Sequence, residues 1–240
     1  MSQKNNTPQD PACAACKVAI RKRACVTPGG VGGVGCPTQE QAQALEAANA
    51  KYDDPQLMEF ARQASLQEAA CYVNRDQRPY VLQPSKTRIQ EIWEFAHRMG
   101  YTKVGLAFCL GLVNEAAKVE QMFKSHGLEV VSALCKAGAT PKEMLGLSDE
   151  DKVRRGGFES VCNPVFQAEL MNRAGTQLNV LLGLCVGHDS LFFAHAKAPN
   201  TVLAVKDRVT GHNPLAAVYL SDGYYAKLKE ADSQGSDEQF

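Results

Sequence analysis

Four short stretches, 103–109, 128–135, 178–185 and 201–206, carry apolar residues in nearly continuous runs rather than at every second position. A strand with one wet face alternates, whereas a strand covered on both faces reads as an unbroken apolar run. Helix signals fall between the runs. Asn114 to His126 reads as a helix stopped by Gly127, and Thr140-Pro-Lys-Glu143 opens a shorter one with a capping box. Asn163-Pro164 opens a helix through Met171 that ends at Gly175, and His212-Asn-Pro214 starts the last clear helix. Strand–helix alternation of this kind predicts an α/β fold: a mainly parallel, doubly wound, Rossmann-like sheet of at least four strands with right-handed crossovers.

Three of these runs end in cysteine: Cys109, Cys135 and Cys185. A fourth, Cys162, stands just before Asn163-Pro164, where a helix N-terminus lowers a thiol pKa. Ligands of open parallel sheets bind at the carboxyl ends of the strands. A strand order of 2-1-3 would put Cys135, Cys109 and Cys185 on neighbouring strands, about 4.8 Å apart. The four thiols are therefore candidates for one site, with at least three sulfurs within about 7 Å if they hold a cluster. Three could also leave one iron open, and two could cycle as a redox pair. Isolated cysteines more often pack as small hydrophobes, and Cys71 is read that way, on a helix stripe with Leu57, Ala61 and Ala64.

Polar residues gather around the same edge. Cys185-Val-Gly-His-Asp-Ser190 turns sharply out of a strand, and offers His188 and Asp189 as acid–base groups or ligands. Lys206, Asp207 and Arg208 leave the fourth run, and His212 repeats the placement of Cys162 before Asn-Pro. Together Lys206, Asp207, Arg208 and His212 read as an anion-binding rim. His97, His126 and His195 lack this context and read as structural.

A second cysteine group lies near the start. Cys13-x-x-Cys16 seeds a tetrahedral site, and Cys25 and Cys36 complete four ligands around the loop Pro28-Gly-Gly-Val-Gly-Gly-Val-Gly35. That loop is too rich in glycine to build a core, so ligand bonds would organise it. Zinc suits four thiolates at about 2.3 Å, with sulfurs roughly 3.5–4 Å apart, and a four-iron (4Fe-4S) cluster accepts the same donors. Spacing does not choose between the metals.

These features divide the chain into a disordered N-terminus (1–12), a Cys-rich metal-binding module (13–37), a helical segment packing on the core (38–99), the α/β domain (100–226) and a tail (227–240). The helical segment reads as two helices broken near Asp53-Asp-Pro55, then a looser stretch, then a helix opened by a Thr87-x-x-Gln90 capping box and ended by Gly100. Lysine plus arginine equals aspartate plus glutamate, 26 each, so no global field draws nucleic acid or acidic lipid. Nucleotide fingerprints, a nucleophile elbow and a basic-aromatic platform are missing from the sequence. No apolar stretch is long enough for a membrane span, and the first residues do not resemble a signal peptide. Nine cysteines in a chain so read predict a cytoplasmic protein using them for metal or redox work rather than disulfides.

Several blocks together resemble the prokaryotic family called domain of unknown function 1847. They are Ala107-Phe-Cys-Leu-Gly111, Cys162-Asn-Pro164 with Gln167-Ala-Glu-Leu170, and Gly183-Leu-Cys-Val-Gly-His-Asp-Ser190. Lys197-Ala-Pro199, and Val205-Lys-Asp-Arg208 with His212-Asn-Pro214, complete the set. The resemblance runs from about Thr87 to Tyr225, and the N-terminal cysteines also resemble that family's. It implies metal binding and supplies no substrate or mechanism.

The leading expectation is a cytosolic metal-binding redox protein, iron–sulfur or zinc plus reactive thiols. As an enzyme it would be an iron–sulfur or thiol-dependent oxidoreductase acting on a small or anionic ligand, with an electron-transfer partner. The alternative is a non-enzymatic, zinc-stabilised α/β module serving as a small-ligand or metal sensor or carrier.

Overall fold

The computed structural model describes residues 10–231. Its contacts divide the chain into two compact units, Met1–Leu66 and Gln67–Phe240. The boundary falls inside the stretch 38–99 that the sequence reads as one helical segment. Positions 1–9 of the expected disordered terminus and 232–240 of the expected tail lie outside the described residues. Ala12 is tied down, its N–H donating to Gly35 O at 3.2 Å.

The first unit contains the 3₁₀ turns Cys13–Ala15, Ile20–Lys22 and Lys51–Asp53, together with α1 (Pro37–Glu40), α2 (Ala42–Ala50) and the start of α3 (Pro55–Ala70). The break near Asp54 has the expected cause. Asp54 Oδ1 accepts from Gln56 N at 2.7 Å and Leu57 N at 3.3 Å, capping a helix with proline in its first turn. Gly35 is the only buried residue among the described residues of this unit. No apolar cluster is buried among its described residues. The expected stripe on α3 is largely wet, with Leu57 and Ala64 exposed. Cys71, in the second unit just past that helix, is buried, and its thiol donates to Gln67 O at 3.1 Å.

The second unit is an α/β fold. After α4 (Arg88–Arg98) come β1 (Lys103–Phe108), α5 (Val113–Ser125), β2 (Glu129–Leu134), α6 (Pro164–Ala174), β3 (Leu178–Leu184), α7 (His188–His195), β4 (Asn200–Val205) and α8 (Leu215–Tyr219). All neighbouring strands run parallel, in the order β2-β1-β3-β4. Alternate side chains sort onto two faces. Val104, Leu106, Val180 and Leu182 pack with Ile92 and Ala96 of α4 and Ala116, Val119 and Phe123 of α5. Ala107, Ala133, Leu181 and Leu184 pack with Ala168 and Met171 of α6 and Phe192 of α7. Each central strand is thus buried on both sides, which is why its sequence reads as a continuous run.

Two capping expectations fail. The Thr87 side chain makes no cap hydrogen bond among the described residues, and Gln90 instead donates to Glu94 Oε1 at 3.1 Å. Residues 140–143 do not open an α-helix. They lead into a 3₁₀ turn, Lys142–Leu145, because Pro141 and Ser160 are drawn into an antiparallel bridge. The capping box that does form pairs Ser148 with Asp151.

Candidate functional site

The sheet delivers its cysteines by one repeated device. At β1 and β2 the ladder runs one residue past the strand's end, with Cys109 N–H donating to Leu182 O at 3.1 Å and Cys135 N–H to Phe108 O at 2.9 Å. Lys206 N–H continues β4 in the same way, to Leu184 O at 3.1 Å. Cys162 comes from the opposite direction. Asn163 N–H donates to Cys135 O at 2.8 Å, while the Asn163 side chain accepts from Phe166 N at 2.9 Å and starts α6. Beneath them the buried Gln167 amide donates to Phe108 O at 3.2 Å and Ala133 O at 2.7 Å, joining the ends of β1 and β2.

Three thiols form a row with Cys135 in the middle. Cys135 is 4% exposed, whereas Cys109 and Cys162 are half-buried. Cys162 Sγ lies 3.7 Å from Cys135 Sγ, and Leu110 N–H donates to Cys135 Sγ at 3.3 Å. The Cys109 and Cys135 thiols also pair. The Cys135 thiol lowers Cys109 to about 4, helped by the Gly111 N–H and the Lys206 ammonium and opposed by burial. Cys135 also leads the lowering of Cys162 to about 6, with Lys136 and His188 adding positive potential against burial. Cys135 itself is pushed far above the ordinary thiol range by its two sulfur neighbours and by burial. The shared proton therefore belongs on Cys135, the buried member, with cations facing the outer two.

Cys185 stands differently. Its Sγ accepts from Arg208 Nη2 at 3.2 Å. The remaining candidates divide into two groups. His188 and Lys206 act on the thiols as described. Asp189 bonds its neighbour Ser190 N at 2.8 Å at the start of α7. Asp207 accepts from Val209 N and Thr210 N, both at 2.9 Å, and these bonds, Thr210's first, hold its carboxyl below the usual range. His212 Nδ1 lies 3.1 Å from Val205 O and 3.2 Å from Asp207 N, at a φ of +68°. Asp207 and His212 thus build the turn after β4, which aims Lys206 and Arg208.

The first unit gathers the other four cysteines. Cys13, Cys16, Cys25 and Cys36 all line one cavity of about 110 Å³. The glycine loop passes so close that a Cβ on Gly32 would come within 2.7 Å of Cys36 Sγ. Among the described residues, no three His, Cys, Asp or Glu side chains are spaced as a single metal ion requires. The expected 3.5–4 Å tetrahedron is not what the loop forms. A cavity of about 10–15 Å³ already holds a water on this scale, so these thiols surround a space rather than a point. The donor set and the space fit a group of several atoms. At the sheet edge the fit is poorer: two sulfurs are in contact and Cys185 is paired with Arg208, whereas thiolates on separate irons diverge.

Residues 36–203 match the family described as "Protein of unknown function (DUF1847)", about 70% of the chain. The chain belongs to that family. The match begins earlier than the expected Thr87 and ends before Lys206, so Cys13, Cys16, Cys25 and the turn carrying Arg208 lie beyond it. An uncharacterized protein of Methanocaldococcus jannaschii, MJ0455, is 45% identical over 142 residues, 59% of this chain and 70% of that protein. No solved structure matches the chain. Among the described residues, no helix is long and apolar enough to cross a membrane.

Sequence reading did not single out Lys136 as a site residue. Its position directly after Cys135, at a strand's carboxyl end, was a usable signal. Gln167 stood in the family blocks without a role, and nothing local marks an amide that ties two strands together.

Proposed function

We propose that this chain is a cytoplasmic, thiol-dependent redox protein. It works through Cys109, Cys135 and Cys162 at the carboxyl edge of a doubly wound, Rossmann-like sheet. A metal centre on Cys13, Cys16, Cys25 and Cys36 occupies the small N-terminal module. The observation that carries the reading is the row itself: a buried Cys135 sulfur 3.7 Å from Cys162 Sγ and next to Cys109, with Lys206 beside Cys109 and Lys136 beside Cys162. A thiolate is the nucleophilic form of cysteine, and neighbouring cations keep it available at neutral pH. A second thiol in contact supplies the partner for two-electron chemistry. Packing alone gives no reason for Lys206 and His188 to face these sulfurs.

The metal reading rests on a different observation. A unit whose described residues bury only a glycine needs bonds from elsewhere to hold its loop, and four thiols around one cavity offer them. Four thiols are donors that zinc and an iron–sulfur cluster both take. When bound, a cluster would exchange single electrons with a partner. The thiol row is tested by alkylating the reduced protein with iodoacetamide across pH and mapping each cysteine. Cys109 and Cys162 should react at pH 7 faster than Cys71, which is buried and held above the ordinary range. Equal, slow reaction at all three would end the redox reading. Anaerobic purification with iron, zinc and acid-labile sulfide analysis tests the metal. A colourless protein carrying only zinc would favour a sensor or carrier instead.

A further inference from the structure

We propose that the three thiols act as a relay that reduces small hydroperoxides: Cys109 takes the oxygen, Cys135 condenses with it, and Cys162 draws the disulfide away. This rests on the redox reading above and assigns each thiol its step.

Geometry selects Cys109 as the entry point. It is half-buried, stands at the N-terminal end of the turn leading into α5, and has the Gly111 N–H and the Lys206 ammonium facing its sulfur. Lys136, the corresponding cation near Cys162, is already held by Ser160 O. A departing alkoxide or hydroxide at Cys109 therefore meets a cation and backbone donors that can stabilise it. Cys185 is drawn off to Arg208. The partial burial of Cys109 and the near-complete burial of Cys135 favour a small oxidant over a bulky disulfide.

The steps balance. The Cys109 thiolate attacks the outer oxygen of ROOH, the S–O bond forms and the O–O bond breaks. RO⁻ leaves, takes a proton and becomes ROH. The sulfur of the Cys135 thiol then attacks the Cys109 sulfenic acid; an S–S bond forms, and the hydroxyl leaves as water with the proton of Cys135. Finally the Cys162 thiolate attacks Cys135 Sγ, forming the Cys135–Cys162 bond and releasing the Cys109 thiolate. The sum is ROOH plus two thiols giving ROH, water and one disulfide. The last exchange has two structural supports. Cys162 Sγ is 3.7 Å from Cys135 Sγ with their backbones joined through Asn163 N–H, so closing to a bond of about 2.05 Å takes only a small side-chain rotation. Cys109 is also the better leaving thiolate, its charge matched by Lys206.

The test treats the reduced, metal-loaded full chain with one equivalent of hydrogen peroxide without oxygen. Samples are quenched over time and every disulfide is mapped by mass spectrometry. A Cys109–Cys135 disulfide should appear first and give way to Cys135–Cys162. Cys162→Ser should stop at Cys109–Cys135, and Cys135→Ser should leave a Cys109 sulfenic acid that dimedone traps. Cys109→Ser should slow the first oxidation about tenfold or more. A Cys109→Ser variant that still forms Cys135–Cys162 at the original rate would overturn the relay and leave the redox reading standing. So would a wild-type reaction that ends with Cys109 in the disulfide. Three thiols no faster than free cysteine would overturn both. The wild-type time course decides the order of steps even if a serine variant fails to fold.

Discussion

Lys206 leaves β4, two strands away from Cys109, yet its ammonium lies 3.5 Å from the place a Gly111 Cβ would occupy. It therefore crosses the end of β3 to face the thiol row. Replacing it with methionine keeps most of the side chain's length and removes the charge. In the wild-type protein, alkylation of Cys109 should rise as pH climbs through about 4, because below that value the sulfur is protonated and inert. In Lys206→Met the midpoint should move up but stay below the ordinary thiol value of about 8.5, because Cys135 and the Gly111 N–H still lower it, while the Cys162 midpoint stays near 6. An unmoved Cys109 profile would remove Lys206 from the site. Gly183 is the other residue on which the edge depends. Its φ is +69°, and a Cβ there would stand 2.2 Å from Leu112 Cδ1. Gly183→Ala should destabilise the protein by about 1–3 kcal/mol from overpacking and about 1–2 kcal/mol from backbone strain, read by urea unfolding. Adding Leu112→Ala should make the penalty of the alanine smaller than in the parent, since the clash would be gone.

At the scale of elements, the strands were legible and the caps only partly so. Continuous apolar runs report burial on two faces, which is a property of the sheet as a whole. A capping box needs one particular rotamer, and Thr87 and Gln90 have the right spacing without the bond. Asn163 has both. Asn163→Ala should cost about 1 kcal/mol and also loosen the approach of Cys162 to Cys135, whereas Thr87→Ala should stay within about 0.5 kcal/mol. Urea unfolding of the two variants compares them directly, and equal losses would mean that the Asn163 bond adds nothing. The site was legible to the extent that it follows from strand ends: Cys109, Cys135 and Cys162 meet because the order β2-β1-β3 and the opening of α6 bring them there. The pairing of Cys185 with Arg208 was not. The register between β3 and β4 shifts at Leu182 and again at Leu184, so the end of β3 is bulged, and a bulge re-aims the side chains beyond it. No pattern of residue types announces that change of direction.

One unit has two apolar cores and the other has none among its described residues, and the two should answer differently to loss of metal. In the sheet unit the strands are covered by two helices on each face, so its cores are held by apolar packing. In the first unit, the stretch around the cysteines is held by short local bonds. Arg23 Nη2 donates to Cys16 O at 2.9 Å, Val31 N–H to Lys22 O at 2.9 Å, and Gly32 N–H to Gln39 Oε1 at 2.9 Å. Each such bond is worth only about 1 kcal/mol net, against a backbone ordering cost of about 1–2 kcal/mol per residue. Metal–thiolate bonds are the means available to close that gap. Cys13→Ser with Cys16→Ser should therefore abolish bound metal and open residues 13–36 to limited proteolysis. The peroxide response of Cys109 and the urea midpoint of the sheet unit should be unchanged. A double variant that keeps its metal would show that the N-terminal thiols are not its ligands. A stretch that resists the protease just as well with the metal gone would show that something other than coordination holds the loop.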